Sequence, residues 1–165
     1  MKKLLLLLVC LILAITVILE ILVLLNLYRI PYEQISILGS SYSTTHWMSW
    51  FGTLFIALST PLQPLIKRKF PSHMKKILPI HMIGNISAVM FVSLHFIHQV
   101  TRSATNYPTL GTGIVLYTTM VLLVSTGVLM YSGIAKKLYK QLLFFHPAFA
   151  VTFYTIILMH ILHGI

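Results

Sequence analysis

Long apolar stretches constrain this chain more than any other feature of its sequence. A helix that crosses a bilayer needs about 20 mostly apolar residues, and five stretches of that kind occur. The connections between them are short and polar, apart from a longer one over residues 26–46. The sequence therefore predicts an all-α integral membrane protein, one transmembrane domain over residues 1–165. Its five predicted transmembrane helices cover roughly residues 4–25, 47–66, 77–100, 110–135 and 142–165.

The composition excludes several other classes of protein. Only 8% of the residues are charged, against about 25% in soluble domains. With Glu20 and Glu33 as the only carboxylates, hydrolysis by a carboxylate pair and carboxylate-rich Ca²⁺ or Mg²⁺ sites are excluded. The lone Cys10 excludes a disulfide framework, an iron–sulfur cluster and a structural zinc site. The first span begins like a signal peptide, but its length and the lack of a cleavage site predict an uncleaved helix.

The basic residues predict an orientation in the membrane. Ten of the twelve fall on one side of the five spans, which leaves Arg29 and Arg102 on the other. The positive-inside rule then predicts a cytoplasmic N-terminus and an outer C-terminus, in the cell membrane. The net charge of +10 is explained by contact with the lipid bilayer, so no nucleic acid partner is expected. The ten residues are Lys2, Lys3, Lys67, Arg68, Lys69, Lys75, Lys76, Lys136, Lys137 and Lys140.

Six of the eight histidines lie in the third and fifth spans, in two matching H-x13-H-x2-H patterns. Fourteen residues at about 100° each amount to four turns less about 40°, so the first two histidines of each set share a helix face, roughly 21 Å apart. Both spans are predicted to run from inside to outside, which places corresponding histidines at matching depths. His81 is then expected to face His146, and His95 to face His160. The third histidines of the two sets are His98 and His163.

Two imidazoles from opposing helices are the axial ligand set of a bis-histidine heme. Zinc usually takes four ligands in a closed site, and no C-x-x-C-H motif for covalent heme attachment is present. The pattern predicts two heme b groups in a bundle made by the second to fifth spans. A polar contact between helices or a proton relay is the alternative use of such histidines.

For the outer heme, spacing leaves two candidate pairs of ligands. His98 and His163 each lie three residues beyond a predicted ligand, about 60° further round the helix. We prefer His95 and His160 because they lie closer to the face of the inner ligands. His98 and His163 remain alternate ligands or outer-site residues, and Arg102 is a candidate partner for an outer heme propionate.

With these histidines, the chain resembles the ferric reductase-like transmembrane domain family, which includes the membrane parts of NADPH oxidases and the heme-binding subunit of bacterial methionine sulfoxide reductase. The stretch HWMSWFGTLFIALSTPL, residues 46–62, is similar to the second span of that family. The stretch AKKLYKQLLFFHPAFAVTFYTIILMH, residues 135–160, is similar to its basic loop and fifth span. The resemblance covers nearly everything from His46 onward and implies that the two histidine pairs are heme ligands.

The sequence departs from the oxidases of that family, which carry a cytoplasmic flavin and nicotinamide domain after the last span. This sequence ends at Ile165 and has no G-x-G-x-x-G loop, so the expected electron donor is a separate protein or a membrane quinol. The leading hypothesis is an electron-transfer subunit of an oxidoreductase, which passes electrons to an outer acceptor. A quinone-linked membrane anchor of a redox complex is the second hypothesis. A non-redox transporter or channel with histidine relays is the third.

Overall fold

The chain is mostly helical. The computed structural model describes residues 2–30, 33–37, 40–101 and 110–164, of which 88% are helical. The predicted all-α membrane class is confirmed at this level. The α-helices of the described residues are α1 (Lys2–Leu24), α2 (Thr44–Lys69), α3 (Met74–Val100), α4 (Leu110–Ser132) and α5 (Tyr139–Gly164).

Among the described residues, four helices are long and apolar enough to cross a membrane: α1, α3, α4 and α5. The predicted count of five spans is not confirmed, because α2 is not one of the four. This helix has the length, with 26 residues, but hydroxyl, proline and basic side chains lower its mean hydropathy. Pro61 and Pro64 lie inside it, and Lys67, Arg68 and Lys69 form its last turn, where positive charge suits the helix dipole.

Two compact units make up the chain, an N-terminal unit over residues 1–102 and a C-terminal unit over residues 103–165. In the N-terminal unit, α3 packs against both α1 and α2. α1 buries Leu5, Val9 and Val23, whose spacing places them on one helix face. α2 approaches α3 at Gly52, where an added Cβ would lie 2.9 Å from the carbonyl oxygen of Ala88. This glycine therefore allows two backbones to come close.

A small hairpin precedes α2 in the N-terminal unit. β1 (Gln34–Ile37) pairs antiparallel with β2 (Ser40–Ser43), in a register that places Gln34 opposite Ser43. The amide of Thr44 then donates to the carbonyl of Glu33 at 3.0 Å. The sequence pattern predicted a connection in this segment and no strands. The hairpin fixes the position of the first turn of α2.

The C-terminal unit is a pair of packed helices, α4 and α5. α4 ends at Ser132, and Gly133 adopts a φ of 74°, a left-handed conformation that suits glycine at the end of a helix. A short 3₁₀ turn at Lys136–Leu138 leads into α5. On α5 the buried residues follow one another at intervals of eight, three and four positions, which places them in one stripe along the helix: Leu142, Ala150, Phe153 and Ile157.

Large apolar side chains are exposed along all five helices. Some of these side chains expose well over half of their surface: Leu4 of α1, Phe51 of α2, and Phe144 and Leu162 of α5. Such surface is costly in water and suits the hydrocarbon of a bilayer, where helices satisfy their own backbone hydrogen bonds. The outward faces therefore indicate a lipid environment, as the sequence predicted.

Candidate heme-ligand histidines

His146 and His160 lie on the stripe of α5 that packs against α4. They follow Leu142 and Ile157 at helical spacings of four and three residues, so both rings face the neighbouring helix. Both side chains are half-buried. The packing of α4 and α5 therefore brings these two histidines against α4, at two levels about 21 Å apart along α5.

The hydrogen bonds of His146 fix its tautomer. Its Nδ1 lies 3.0 Å from the carbonyl oxygen of Leu123 and 3.0 Å from Oγ1 of Thr126. A carbonyl only accepts, so Nδ1 carries the proton and donates. The Thr126 hydroxyl donates its own hydrogen bond to backbone carbonyls of α4, at 2.9 Å from that of Leu122 and 2.8 Å from that of Leu123. The remaining ring nitrogen, Nε2, then keeps its lone pair.

His160 is held in a similar way at the other level. Its Nδ1 lies 2.9 Å from Oγ1 of Thr112. In the described part of the chain, this hydroxyl is the hydrogen-bond partner of that ring nitrogen, and no carbonyl takes part. His160 therefore depends on one side chain where His146 has a side chain and a backbone group.

A glycine follows each of these threonines and leaves room for the ring. A Cβ added at Gly127 would lie 3.2 Å from Cε1 of His146, tighter than normal packing. A Cβ added at Gly113 would lie 3.5 Å from Cε1 of His160, which is ordinary contact. α4 thus presents two Thr-Gly pairs to α5, one at each histidine.

In the N-terminal unit, His81 is connected to α2 through Asn85. The Nδ2 of Asn85, four residues further along α3, lies 3.2 Å from Nε2 and 3.4 Å from Nδ1 of His81. Its Oδ1 accepts a hydrogen bond from Oγ of Ser59 at 2.9 Å. Gly84, one residue before Asn85, lies under the ring of Phe55.

A series of close polar contacts links His98 to the side chain of Gln99. The Nε2 of Gln99 is a donor only, and it lies 3.4 Å from Nε2 of His46. The Nδ1 of His46 lies 2.7 Å from Ser43, and Ser43 lies 2.9 Å from Thr45, where either hydroxyl can donate. The hydroxyl of Thr45 lies 3.2 Å from Nδ1 of His98. If the direction set by Gln99 is kept through both hydroxyls, Nδ1 of His98 accepts and the proton of the neutral ring lies on Nε2.

His95 contacts the same region through its ring. This ring lies edge-on to the ring of His46, with 4.6 Å between the centroids, and its Nδ1 is buried. His46 is half-buried between these groups. Of the other predicted site residues, Arg102 and the side chain of His163 lie outside the described residues.

The hydroxyl and amide residues of the site were missed at the sequence level. A pattern could have indicated two of them, since the dipeptide Thr-Gly occurs at 112–113 and again at 126–127, with the 14-residue spacing of the histidines. Two hydroxyl residues of α2, Thr45 and Ser59, have the same spacing. Asn85 lies one helical turn after His81, a spacing that could have indicated it, whereas no residue pattern links Gln99 to His46.

The donor chemistry of these histidines fits the axial ligands of a heme. An axial imidazole binds iron through an unprotonated nitrogen while the other ring nitrogen donates to a second group, and His146 has that arrangement. Within the described residues, no three or more His, Cys, Asp or Glu side chains form a group able to hold a metal ion. A bis-histidine heme uses two such side chains and needs no larger group.

Fold and site together define a helical membrane protein with anchored histidines on two of its apolar helices. Comparison of the chain with known protein families, curated proteins and solved structures found no match.

Proposed function

We propose that this protein is a b-type membrane cytochrome that carries electrons across a membrane and binds two hemes. His81 and His146 are the proposed axial ligands of the inner heme, and His95 and His160 those of the outer heme. Heme supplies a one-electron redox couple when bound. The observation that carries the proposal is the hydrogen bonding of His146. The bond from Nδ1 to α4 orients the ring and leaves Nε2 unprotonated.

The repeat of that arrangement supports the proposal further. His160 lies 14 residues after His146 and is held by a second threonine, 14 residues before the first. A polar contact that only joined two helices would not need the same spacing in the histidines and in their partners. The resemblance of residues 46–62 and 135–160 to the ferric reductase-like family agrees with heme as the ligand.

For the outer heme, hydrogen-bond polarity favours His95 over His98. With Gln99 as the first donor, the proposed direction has Thr45 donate to Nδ1 of His98, and the proton of His98 then lies on Nε2, the nitrogen that would have to bind iron. His95 also lies closer than His98 to the helix face of His81. The residues that would neutralise propionates are proposed to be basic side chains near the helix ends, with Arg102 on the outer side.

The proposed path runs from a cytoplasmic protein or a membrane quinol to an acceptor on the outer side. In this proposal α2 is the fifth spanning helix, the N-terminus is cytoplasmic, and α2 to α5 surround the hemes. The protein's own residues bind and orient the hemes and exclude water. The apolar surroundings of the hemes and the hydrogen-bond partners of the ligand histidines set the redox potentials.

The test is the reduced-minus-oxidised absorption spectrum of the purified full-length protein. We expect b-type bands and two hemes per chain by hemochromogen assay. His146→Ala is expected to lose about half of the heme. His73→Ala is the matched control, since His73 is exposed in the loop between α2 and α3, and it should keep both hemes. A wild-type protein without b-type bands would overturn the proposal.

A further inference from the structure

Two threonines of α4 contact the histidines of α5 at the same ring nitrogen. Thr126 lies 3.0 Å from Nδ1 of His146, and Thr112 lies 2.9 Å from Nδ1 of His160. The two helices pack along their length, so each threonine meets the histidine at its own level. The side chain of Thr126 is 8% exposed, which protects its hydrogen bond from competition by water.

A third buried threonine on the same helix shows what the histidine contact adds. Thr119 is 6% exposed, and its hydroxyl donates to the carbonyl of Val115 at 2.7 Å. Thr126 makes the equivalent bond to Leu122 and, in addition, contacts His146. Because a buried threonine of α4 can be satisfied by its own helix, the contact with His146 is not needed to satisfy the hydroxyl.

The two histidines differ in how much they depend on their threonine. For His146, the carbonyl of Leu123 also accepts from Nδ1, so the tautomer survives without a hydroxyl. For His160, Thr112 is the partner of Nδ1 in the described residues. Loss of the hydroxyl therefore leaves Nδ1 of His146 with the carbonyl of Leu123, whereas at His160 it removes the hydrogen-bond partner that the described residues provide.

We propose that Thr112 and Thr126 are positioning residues that hold Nδ1 of His160 and His146, keep Nε2 available for heme iron, and strengthen it as a ligand. This inference rests on the proposed heme function. An acceptor at Nδ1 raises the basicity of the imidazole and stabilises the ferric state, which lowers the reduction potential. The effect of Thr112 exceeds that of Thr126, because the backbone supports only His146.

The experiment compares Thr112→Val, Thr126→Val and the control Thr119→Val in the full-length protein. The rate of heme release to an excess of apomyoglobin and the midpoint potential of each heme are measured. Thr112→Val should release one heme about tenfold faster, the usual scale for losing a group behind a metal ligand, and raise its potential. Thr126→Val should speed the release of one heme and raise its potential by a smaller factor. Thr119→Val should match the wild type in both measurements. Thr112→Ser, which restores a hydroxyl, should return both values toward the wild type.

A second readout does not depend on heme. In protein labelled with ¹⁵N in its histidine rings and freed of heme, the proton of His160 should reside on Nδ1 in the wild type and shift toward Nε2 in Thr112→Val. Two hemes in the wild type with equal release rates in Thr112→Val and Thr119→Val would overturn this inference and leave the proposed function standing. A wild type without heme would overturn the proposed function, and a His160 proton on Nε2 would overturn the inference in either case.

Discussion

The two units carry the same 14-residue spacing of hydroxyls and histidines, but only one of them has a backbone group that sets the direction of the hydrogen bonds. In the C-terminal unit, His146 donates from Nδ1 to a carbonyl of α4 and keeps Nε2 unprotonated. In the N-terminal unit, Nδ1 of His98 lies against the hydroxyl of Thr45, and we propose that the contacts from Gln99 onward make this nitrogen the acceptor. This difference shows that the spacing of histidines in the sequence does not by itself identify a ligand of heme iron. The direction of the hydrogen bonds decides which nitrogen can bind iron.

The largest expected effect separates the two outer histidines of the N-terminal unit. His95→Ala should lose one heme of two, and His98→Ala should keep both, because the proposed direction of the contacts from Gln99 places the proton of His98 on Nε2. Heme per chain, measured by hemochromogen assay, checks this. Loss of heme in His98→Ala with none in His95→Ala would reverse the assignment and show that the proposed direction of the contacts from Gln99 is wrong.

The helix contact of the N-terminal unit gives the next largest effect. A Cβ at position 52 would lie 2.9 Å from the backbone of Ala88, so Gly52→Ala forces α2 and α3 apart and should cost about 1–3 kcal/mol. Gly111→Ala is the control, because nothing lies within 4 Å of a Cβ there, and alanine is the better helix former. Thermal unfolding in detergent should show a lower Tm for Gly52→Ala only. Equal Tm values would contradict the close contact.

The two glycines beside the histidines of α5 offer a finer comparison. Gly127→Ala brings a Cβ to 3.2 Å from the ring of His146, while Gly113→Ala reaches 3.5 Å from that of His160. The first should turn the ring and shift the largest g value of one ferric heme in electron paramagnetic resonance. The second should leave the spectrum unchanged. A larger shift in Gly113→Ala would show that the ring positions differ from those described.

The smallest effect is expected at Asn85. Its amide contacts both ring nitrogens of His81, and binding of iron at Nε2 requires the amide to turn and accept from Nδ1 instead. Asn85→Leu should keep two hemes and raise the potential of the inner heme slightly, because one acceptor is lost. Ser59→Ala removes the hydroxyl that donates to this amide, and it should change the potential of the inner heme even less. Potentiometric titration measures both, and loss of the inner heme in Asn85→Leu would mean that Asn85 has a larger role.

The sequence predicted the helices well because a spanning helix needs only a long apolar run, which is a local property. The predicted third span at 77–100 lies within Met74–Val100, and the predicted fourth span began at residue 110, as α4 does. The second span was harder, because the hydroxyls and prolines of α2 lower its mean hydropathy. The four-residue strands before α2 fell in a segment without a clear alternating pattern.

The ligand histidines were predicted from the spacing of residues along the sequence. The groups that hydrogen-bond to them are brought close by packing between helices. Thr112 lies 48 residues before His160 in the sequence, and no local pattern connects them. The same is true of Thr45 and His98, which are 53 residues apart. The tautomers depend on these contacts, so the sequence left His95 and His98 as alternatives, and the proposed direction of the hydrogen bonds favours His95.

The most direct test of the central claim is a heme count in paired variants of the ligand histidines. If His81 and His146 hold one heme, then His81→Ala, His146→Ala and the double variant should each retain one heme per chain. The double variant His81→Ala with His160→Ala removes a ligand from each heme and should retain none. Two hemes in all of these variants, or none in the wild type, would contradict the account.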